Sequence, residues 1–528
     1  MTENYLDILA RTIRENWDQP ALTDFYLTED GTAQDTSRGN RYTYGEMYAE
    51  ICRVAELLTA LGLQKGDHIA ICGANSAHWV IAYLAVAKMQ GVSVTVMHSL
   101  MPDEIANLVA FSDAKALFTD GDIWAELSPS LEGRVGERFI SLADWSLLDG
   151  HSDRAMTERQ PREDRDISFP SSAPDDLAMI CFSSGTSGKA KGVMLPYRSI
   201  NANVAIKFSD FIKSKGKISL SWLPMGHIYG LLAEVLQPMC IGISVVVYKS
   251  DTSASFVHMV QAVRPAILMT VPIVLEKIIS SIKQYTSDVP TIRRKLLNIL
   301  GNNLDLIGVG GALLPTELEK ILYAHPIPLG MSYGMTECGP RIALALSDEL
   351  KPHSVGKILP TLICNISPEG EILVKGENVM LGYYKDPEAT AQKIDKDGWL
   401  HTGDAGYMDE DGYLYVTGRI GQDMIVLPNG ENIHPEDIEN KINALPKVQE
   451  SIVVARDGHL VAIVRLTDSS QNSPNTPNTP NAMKDIRHAI LRTINPQLPD
   501  YSQLYNIDFI DKPLERTAKQ TIKRYLYK

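Results

Sequence analysis

Residues Thr43 to Val96 read TYGEMYAEICRVAELLTALGLQKGDHIAICGANSAHWVIAYLAVAKMQGVSVTV, and their periodicity decides the fold class. Thr43 and Glu46 have the S/T-x-x-E spacing of a capping box, which predicts a helix start. Met47, Ile51, Val54, Leu58 and Leu61 follow at alternating four- and three-residue steps, one apolar stripe on that helix. Gly62 is placed to close it in a left-handed C-cap. Gly66 and Asp67 then lead into His68-Ile69-Ala70-Ile71-Cys72, a short run suited to a buried strand. A second helical stretch from Ser76 to about Gln90 precedes another strand-like run, Val92 to Val96. Strand, helix and strand in alternation argue for a parallel sheet with helices packed on it.

Working outward, the same texture continues through Val245 to Tyr248, Ala266 to Val271 and Leu304 to Val309. Beyond about residue 341 it gives way to short strands and Gly/Asp turns, such as Asp397-Gly398 and Asp409-Glu410-Asp411-Gly412, which predicts a β-rich subdomain. A separate C-terminal unit is expected from about Gly418. Within it Ile433 to Leu445 and Met483 to Ile494 read as helices, and Ser451 to Ala455 and Leu460 to Leu466 as strands. The segment QNSPNTPNTPN, Gln471 to Asn481, reads as a solvated Pro/Asn loop. The expected class is therefore α/β, with a large N-terminal domain, a β-rich subdomain and a small α+β C-terminal domain.

Composition narrows the function classes. With 528 residues and 44% hydrophobic content, the chain can bury more than one core. The 64 acidic residues outnumber the 50 basic ones, a net charge of -14 that argues against a nucleic-acid partner. The six cysteines are scattered with no C-x-x-C pair, so neither a disulfide framework nor a zinc site is indicated, and reduced cytoplasmic thiols are expected. Charges interrupt the N-terminal segment before a signal-like apolar run forms. The longest apolar stretches, Ile81 to Ala87 and Ile267 to Leu275, fall short of the roughly 18 to 20 residues that span a bilayer. Peripheral membrane contact stays compatible with the sequence.

The segment richest in chemistry is Ser183-Ser184-Gly185-Thr186-Ser187-Gly188-Lys189-Ala190-Lys191-Gly192, bounded by apolar runs at Leu177 to Phe182 and Val193 to Leu195. Glycines let backbone approach a ligand closely, hydroxyls and N–H groups donate to phosphate oxygens, and lysine supplies charge. A polyphosphate needs this combination, and a flexible Ser/Gly linker is the bland alternative. It is not a Walker A loop, because Ala190 stands where a Ser or Thr would ligate magnesium.

The segment resembles the signature loop of the adenylate-forming superfamily, which includes acyl-CoA synthetases, luciferases and adenylation domains of peptide synthetases. Further motifs of that family follow in its order: Leu223-Pro224-Met225-Gly226-His227, Gly310-Gly311-Ala312-Leu313-Leu314-Pro315, Tyr333-Gly334-Met335-Thr336-Glu337, Thr402-Gly403-Asp404, Gly418-Arg419 and Gly430-Glu431-Asn432-Ile433. The resemblance covers nearly the whole chain. It implies an N-terminal AMP-binding and acyl-binding domain over 1–417, a hinge over 418–423 and a mobile C-terminal domain over 424–528. It implies ATP and coenzyme A as co-substrates and Mg2+ as the metal. Residues 423–439 look closest to long-chain acyl-CoA synthetases, so the implied substrate is a long- or medium-chain fatty acid.

Residue roles carry over from the resemblance one by one. Lys191 falls on the lysine of the signature loop, and Ser183, Ser184, Gly185, Thr186, Ser187 and Gly188 would hold phosphate. Glu337 would ligate magnesium, and Thr336 would touch the phosphates beside Gly334. Tyr333 would pack on adenine, with Gly311 and Ala312 shaping the nucleotide wall. Asp404 would accept the ribose hydroxyls, a carboxylate offering two acceptor oxygens, and Arg419 would add a ribose or phosphate contact. His227 and Gly310 would line the acyl site, and Gly430 the pantetheine channel. Cys338 follows Glu337 but is not expected to be a nucleophile, since the thiol here is that of coenzyme A.

Two departures stand out. The family hinge Gly-Arg-x-Lys-Asp is replaced by Gly418-Arg419-Ile420-Gly421-Gln422-Asp423. The family's C-terminal lysine aligns with Thr521, while Lys519, two residues earlier and on the same face of an extended segment, stands in for it as the expected catalytic cation. Two alternatives stay open at this point: loading of a carrier-protein phosphopantetheine, and a catalytically silent nucleotide- or acyl-binding protein.

Overall fold

The computed structural model describes residues 2–26, 39–131, 138–148, 167–183, 190–206, 216–248, 256–311, 314, 316–323, 327–419, 425–427, 432–433, 435–456, 458–467, 480–515 and 526–527. The capping box forms as the spacing predicts: Glu46 N–H donates to Thr43 Oγ1 at 3.2 Å and Thr43 N–H to Glu46 Oε2 at 2.8 Å. The helix Tyr44–Ala60 follows, and Gly62 takes φ of 81° just beyond it. The next helix, Ala77–Lys88, is buried on every face from Ala77 to Ala87. A helix apolar all round must be covered all round. It meets the strands His68–Cys72 and Val92–Thr95 of one sheet and Pro20–Phe25 of another, so it lies between two sheets.

Among the described residues, the first of these sheets has seven strands. Phe139–Ser141, Ala116–Thr119, His68–Cys72, Val92–Thr95 and Leu177–Ser183 run parallel, and Lys191–Pro196 and Gly382–Tyr383 add antiparallel at the edge. The second has nine, with a parallel centre from Pro20–Phe25 through Ser244–Tyr248, Ile218–Ser221, Ile267–Thr270 and Leu306–Val309 to Leu329–Gly334. Their central strands are buried continuously, which parallel sheets covered on both faces require. The fold is mixed α/β with several sheets.

The β-rich texture after residue 341 is distributed differently from the expectation. Arg341–Leu346 and Lys357–Ile358 complete the nine-stranded sheet, and Gly382–Tyr383 returns to the seven-stranded one. A separate four-stranded sheet takes Leu362–Ile366, Glu371–Gly376, Leu400–Met408 and Leu414–Arg419. Alternation marks a strand but not its partner, because pairing is set by contacts distant in sequence.

Contacts divide the chain into two compact units, with one boundary between Gly418 and Arg419. In the second unit, Val448–Arg456, His459–Leu466 and Leu504–Phe509 form a three-stranded sheet. Helices Pro435–Asn443 and Pro480–Ile494 bury Ile438, Ile442, Ile490 and Ile494 in its core. Two boundaries are corrected. Ile433 belongs to the short strand Asn432–Ile433, and the last helix starts inside the expected loop at Pro480, where a missing N–H costs nothing in a first turn. Among the described residues, no helix is long and apolar enough to cross a membrane.

Candidate active site

The Leu177–Ser183 and Lys191–Pro196 strands form an antiparallel hairpin whose register sets Ser183 opposite Lys191. This places both ends of the phosphate-type loop together; Ser184, Gly185, Thr186, Ser187 and Gly188 lie outside the described residues. The hairpin is extended by Tyr383, paired with Val193. Lys191 Nζ stands 4.8 Å from the centre of the Tyr383 ring, a cation–π distance. The same tyrosine donates its hydroxyl to Glu337 Oε1 at 2.7 Å. Lys191, Tyr383 and Glu337 are thereby joined through one aromatic side chain.

Glu337 sits in a tight turn, Thr336–Cys338, between the strands Leu329–Gly334 and Arg341–Leu346. The turn is closed by Met335 N–H donating to the Pro340 carbonyl at 2.8 Å. Gly334 allows this approach, since a Cβ there would lie 1.9 Å from the Pro340 oxygen. Glu337 is buried, and Met380 N–H donates to its backbone carbonyl, so the turn is tied to the segment leading to Tyr383. Cys338 is fully buried and desolvation pushes its thiol up, opposite to what a thiolate nucleophile needs.

Tyr333 and Asp404, expected to serve adenine and ribose separately, are linked directly. The Tyr333 hydroxyl donates to Asp404 Oδ2 at 2.5 Å. Burial first, and the Asp404 carboxylate second, hold the phenol well above its ordinary range, so it stays a donor. Asp404 is aimed by its strand: Thr402 Oγ1 donates to the Ile372 carbonyl at 2.7 Å and accepts from Asp404 N–H at 3.0 Å. Between them Gly403 takes φ of 78° and donates to Glu371 Oε1 at 2.8 Å.

Gly310 and Gly311 follow the strand Leu306–Val309. A Cβ on Gly310 would meet Ser332 Oγ at 2.8 Å and Tyr229 Oη at 3.3 Å, so a side chain there has no room. Gly311 is exposed with φ of 81°. His227 caps the turn Ile228–Gly230, accepting from Tyr229 N–H at Nδ1, 3.2 Å. Its side chain is exposed, and desolvation by surrounding protein holds the imidazole below its usual range. Ala312, Gly430 and Lys519 lie outside the described residues, as does the side chain of Arg419, the last residue of its strand.

Two residues were missed by the motif reading. Tyr383 belongs to no motif, and nothing local distinguishes it from Tyr384. Arg341 carried a signal: a charge opening the apolar strand run Ile342 to Leu346, where burial is expected. It is 3% exposed. Among the described residues, no group of three or more His, Cys, Asp or Glu could hold a metal. The buried single carboxylate of Glu337 fits instead a Mg2+ ion bound chiefly by substrate phosphates, which needs only one or two protein carboxylates.

The family described as AMP-binding enzyme matches residues 9–384, and AMP-binding enzyme C-terminal domain matches 422–527. 4-coumarate–CoA ligase 3 of Oryza sativa subsp. japonica is 27% identical over 463 residues, 83% of this chain and 80% of that protein. A Bacillus subtilis o-succinylbenzoate CoA synthetase structure with a product analogue superposes with TM-score 0.74 at 24% identity, over 99% of this chain and 97% of the other. The amide bond synthetase McbA of Marinactinospora thermotolerans gives TM-score 0.76 at 21% identity, over 99% of both chains. These two likenesses speak for the fold. The family match spans most of the chain, and the protein is a member of the AMP-binding, adenylate-forming enzyme family.

Proposed function

We propose that this protein is an AMP-forming acid:CoA ligase. The observation that carries the reading is the joining of Lys191 and Glu337 through Tyr383, with Ser183 in register opposite Lys191 and Tyr333 hydrogen-bonded to Asp404, in a chain of this family. A free carboxylate is a poor acyl donor because oxide does not leave. Its oxygen attacks the α-phosphorus of ATP, pyrophosphate departs and an acyl-adenylate forms; the thiol sulfur of coenzyme A then attacks the acyl carbon and AMP leaves. No side-chain nucleophile is needed, so catalysis rests on positioning and charge stabilisation.

In this reading Lys191 and the loop residues Ser183 to Gly188 hold the phosphates, with Thr336 beside them. Glu337 is the protein ligand of Mg2+, an ion that when bound neutralises charge on the phosphate oxygens. Tyr383 fixes the orientation of that carboxylate. Asp404 accepts the ribose hydroxyls, with Arg419 adding a contact, and Tyr333, Gly334, Gly311 and Ala312 form the nucleotide wall. His227 and Gly310 line the acyl side. Lys519 stabilises the adenylation transition state and Gly430 borders the thiol channel. The domain division is 1–417, a hinge over 418–423 and 424–528. Cytoplasmic placement belongs to the same reading, supported by six free thiols.

The motif resemblance favours a long- or medium-chain fatty acid as substrate, whereas the curated relatives are named for 4-coumarate. A panel of carboxylic acids read by pyrophosphate release, followed by thioester formation on coenzyme A and on a phosphopantetheinyl carrier protein, tests the reading. Acid-dependent pyrophosphate release with thioester on coenzyme A is expected. Absence of release with every acid, or thioester on the carrier alone, would overturn it.

A further inference from the structure

The strands Glu371–Gly376 and Leu400–Met408 pair antiparallel, with Leu373 opposite His401 and then Glu371 opposite Ala405. Four steps along one strand match two along the other, so Thr402, Gly403 and Asp404 bulge opposite Ile372 alone. A bulge bends its strand and re-aims a side chain, and it leaves backbone groups without ladder partners. Side chains take those groups up here. Thr402 Oγ1 donates to the Ile372 carbonyl and accepts from Asp404 N–H. Lys393 Nζ, at the end of the helix Pro387–Lys393, donates to the Thr402 carbonyl at 3.0 Å. Glu371 Oε1 accepts from Gly403 N–H at 2.8 Å.

Gly403 is the soft point of the bulge. Glycine reaches its φ of 78° freely and, without a hydrogen bond to hold it, leaves as freely. Each rotation there swings the next residue, Asp404. A carboxylate suits the holding of this N–H, since a charge-assisted bond is about twice as strong as a neutral one. The carboxylate of Glu371 is fixed in turn. His401 Nδ1 lies 2.9 Å from its other oxygen, Oε2, and a carboxylate only accepts, which assigns the ring proton to Nδ1. Neither Glu371 nor His401 lies in the Thr402-Gly403-Asp404 motif.

We infer that Glu371, steadied by His401, is the positioning residue of the ribose subsite: through Gly403 it sets the direction in which the Asp404 carboxylate is presented. This rests on the reading above in which Asp404 accepts the ribose hydroxyls. Glu371 acts through the backbone and not on the reacting atoms, so its removal weakens the grip on ribose and leaves the other contacts of the nucleotide in place.

The test measures dissociation constants on the full chain, in the absence of acid, for ATP and for 2′,3′-dideoxy-ATP, which lacks both ribose hydroxyls. The wild-type protein should bind ATP more tightly by about 10-fold or more, and Asp404→Ala should erase that difference. Glu371→Ala should raise the ATP constant by about 10-fold while moving the dideoxy constant by less than about 2-fold, a split that general loosening does not give. Glu371→Gln keeps an acceptor for Gly403 and should stay within about 3-fold of wild type for both nucleotides. Equal losses for both nucleotides in Glu371→Ala, or no loss for either, overturn the inference and leave the ribose role of Asp404 standing. Equal binding of the two nucleotides by the wild type removes that role and the inference with it. Should Glu371→Ala not fold, His401→Ala at its half-exposed position decides: a rise of about 3-fold for ATP alone upholds the inference, and an equal change or none overturns it.

Discussion

The carboxylates of Glu337 and Asp404 are buried and each accepts a tyrosine hydroxyl, so their orientation is set before a nucleotide arrives. Preorganised groups act on developing charge without the cost of reorganisation. Glu337→Ala and Asp404→Ala should therefore each lower acid-dependent pyrophosphate exchange by at least about 100-fold, and near-wild-type exchange in either variant would remove its assigned role. Tyr383 separates two effects at one residue. Tyr383→Phe keeps the ring beneath Lys191 but loses the hydrogen bond to Glu337. It should lower the apparent affinity for Mg2+ and the rate by about 10-fold each, as loss of a group orienting a metal ligand does. Tyr383→Leu should cost more. Equal rates for Phe and Leu variants would show that the ring contact with Lys191 contributes nothing.

At the scale of elements, the helix opening at Tyr44 depends on a cap with both reciprocal bonds in place, so Thr43→Ala should cost about 1 kcal/mol in denaturant unfolding. A second device lies in the segment Leu231–Leu236, a wide π-type turn carrying the fully buried Glu234. Its Oε2 accepts from the N–H groups of Trp222 and Leu223, each at 3.0 Å, holding the strand end that leads to His227. Desolvation outweighs these bonds and raises the carboxyl well above its ordinary value of 4.5. The folded protein thus keeps a proton that the unfolded chain releases. This contribution to stability is fully present below the unfolded value and is lost as pH rises towards the folded one. Glu234→Gln keeps an acceptor and removes the titration. Its melting temperature should match wild type near about pH 4 and exceed it by at least about 2 °C near about pH 8. A pH-independent difference would mean that Glu234 does not titrate.

For the whole molecule, an acid:CoA ligase of this kind runs two half-reactions in turn, adenylation and then thioester formation. A cation needed only while the carboxylate attacks phosphorus stabilises that transition state selectively. Lys519→Ala should slow acyl-adenylate formation by about 10-fold or more, while conversion of supplied acyl-adenylate to thioester stays near normal. Equal loss in both steps would assign Lys519 to folding or docking instead. No loss in either would leave the first step to Lys191 or another cation.

Helix caps, apolar stripes and strand runs were legible from sequence because each is written in residues within a turn or two of one another. Thr43 with Glu46, the Met47 to Leu61 stripe and the alternation through Val96 determined the α/β class. The order of the Gly-rich, Tyr333 to Glu337 and Thr402 to Asp404 motifs determined the family. Which sheet each late strand joined was not legible, since Arg341–Leu346 and Leu362–Ile366 share the same local texture and differ only in distant partners. Nor were the links of the site. Tyr383 and Glu337 stand 46 positions apart, and Tyr333 and Asp404 stand 71 apart. A hydroxyl becomes a donor to one particular carboxylate only when two sheets bring them within hydrogen-bond reach. Arg341 showed the same division: its charge was plain in the sequence, but its burial followed from packing of the nine-stranded sheet, which no local signal fixes.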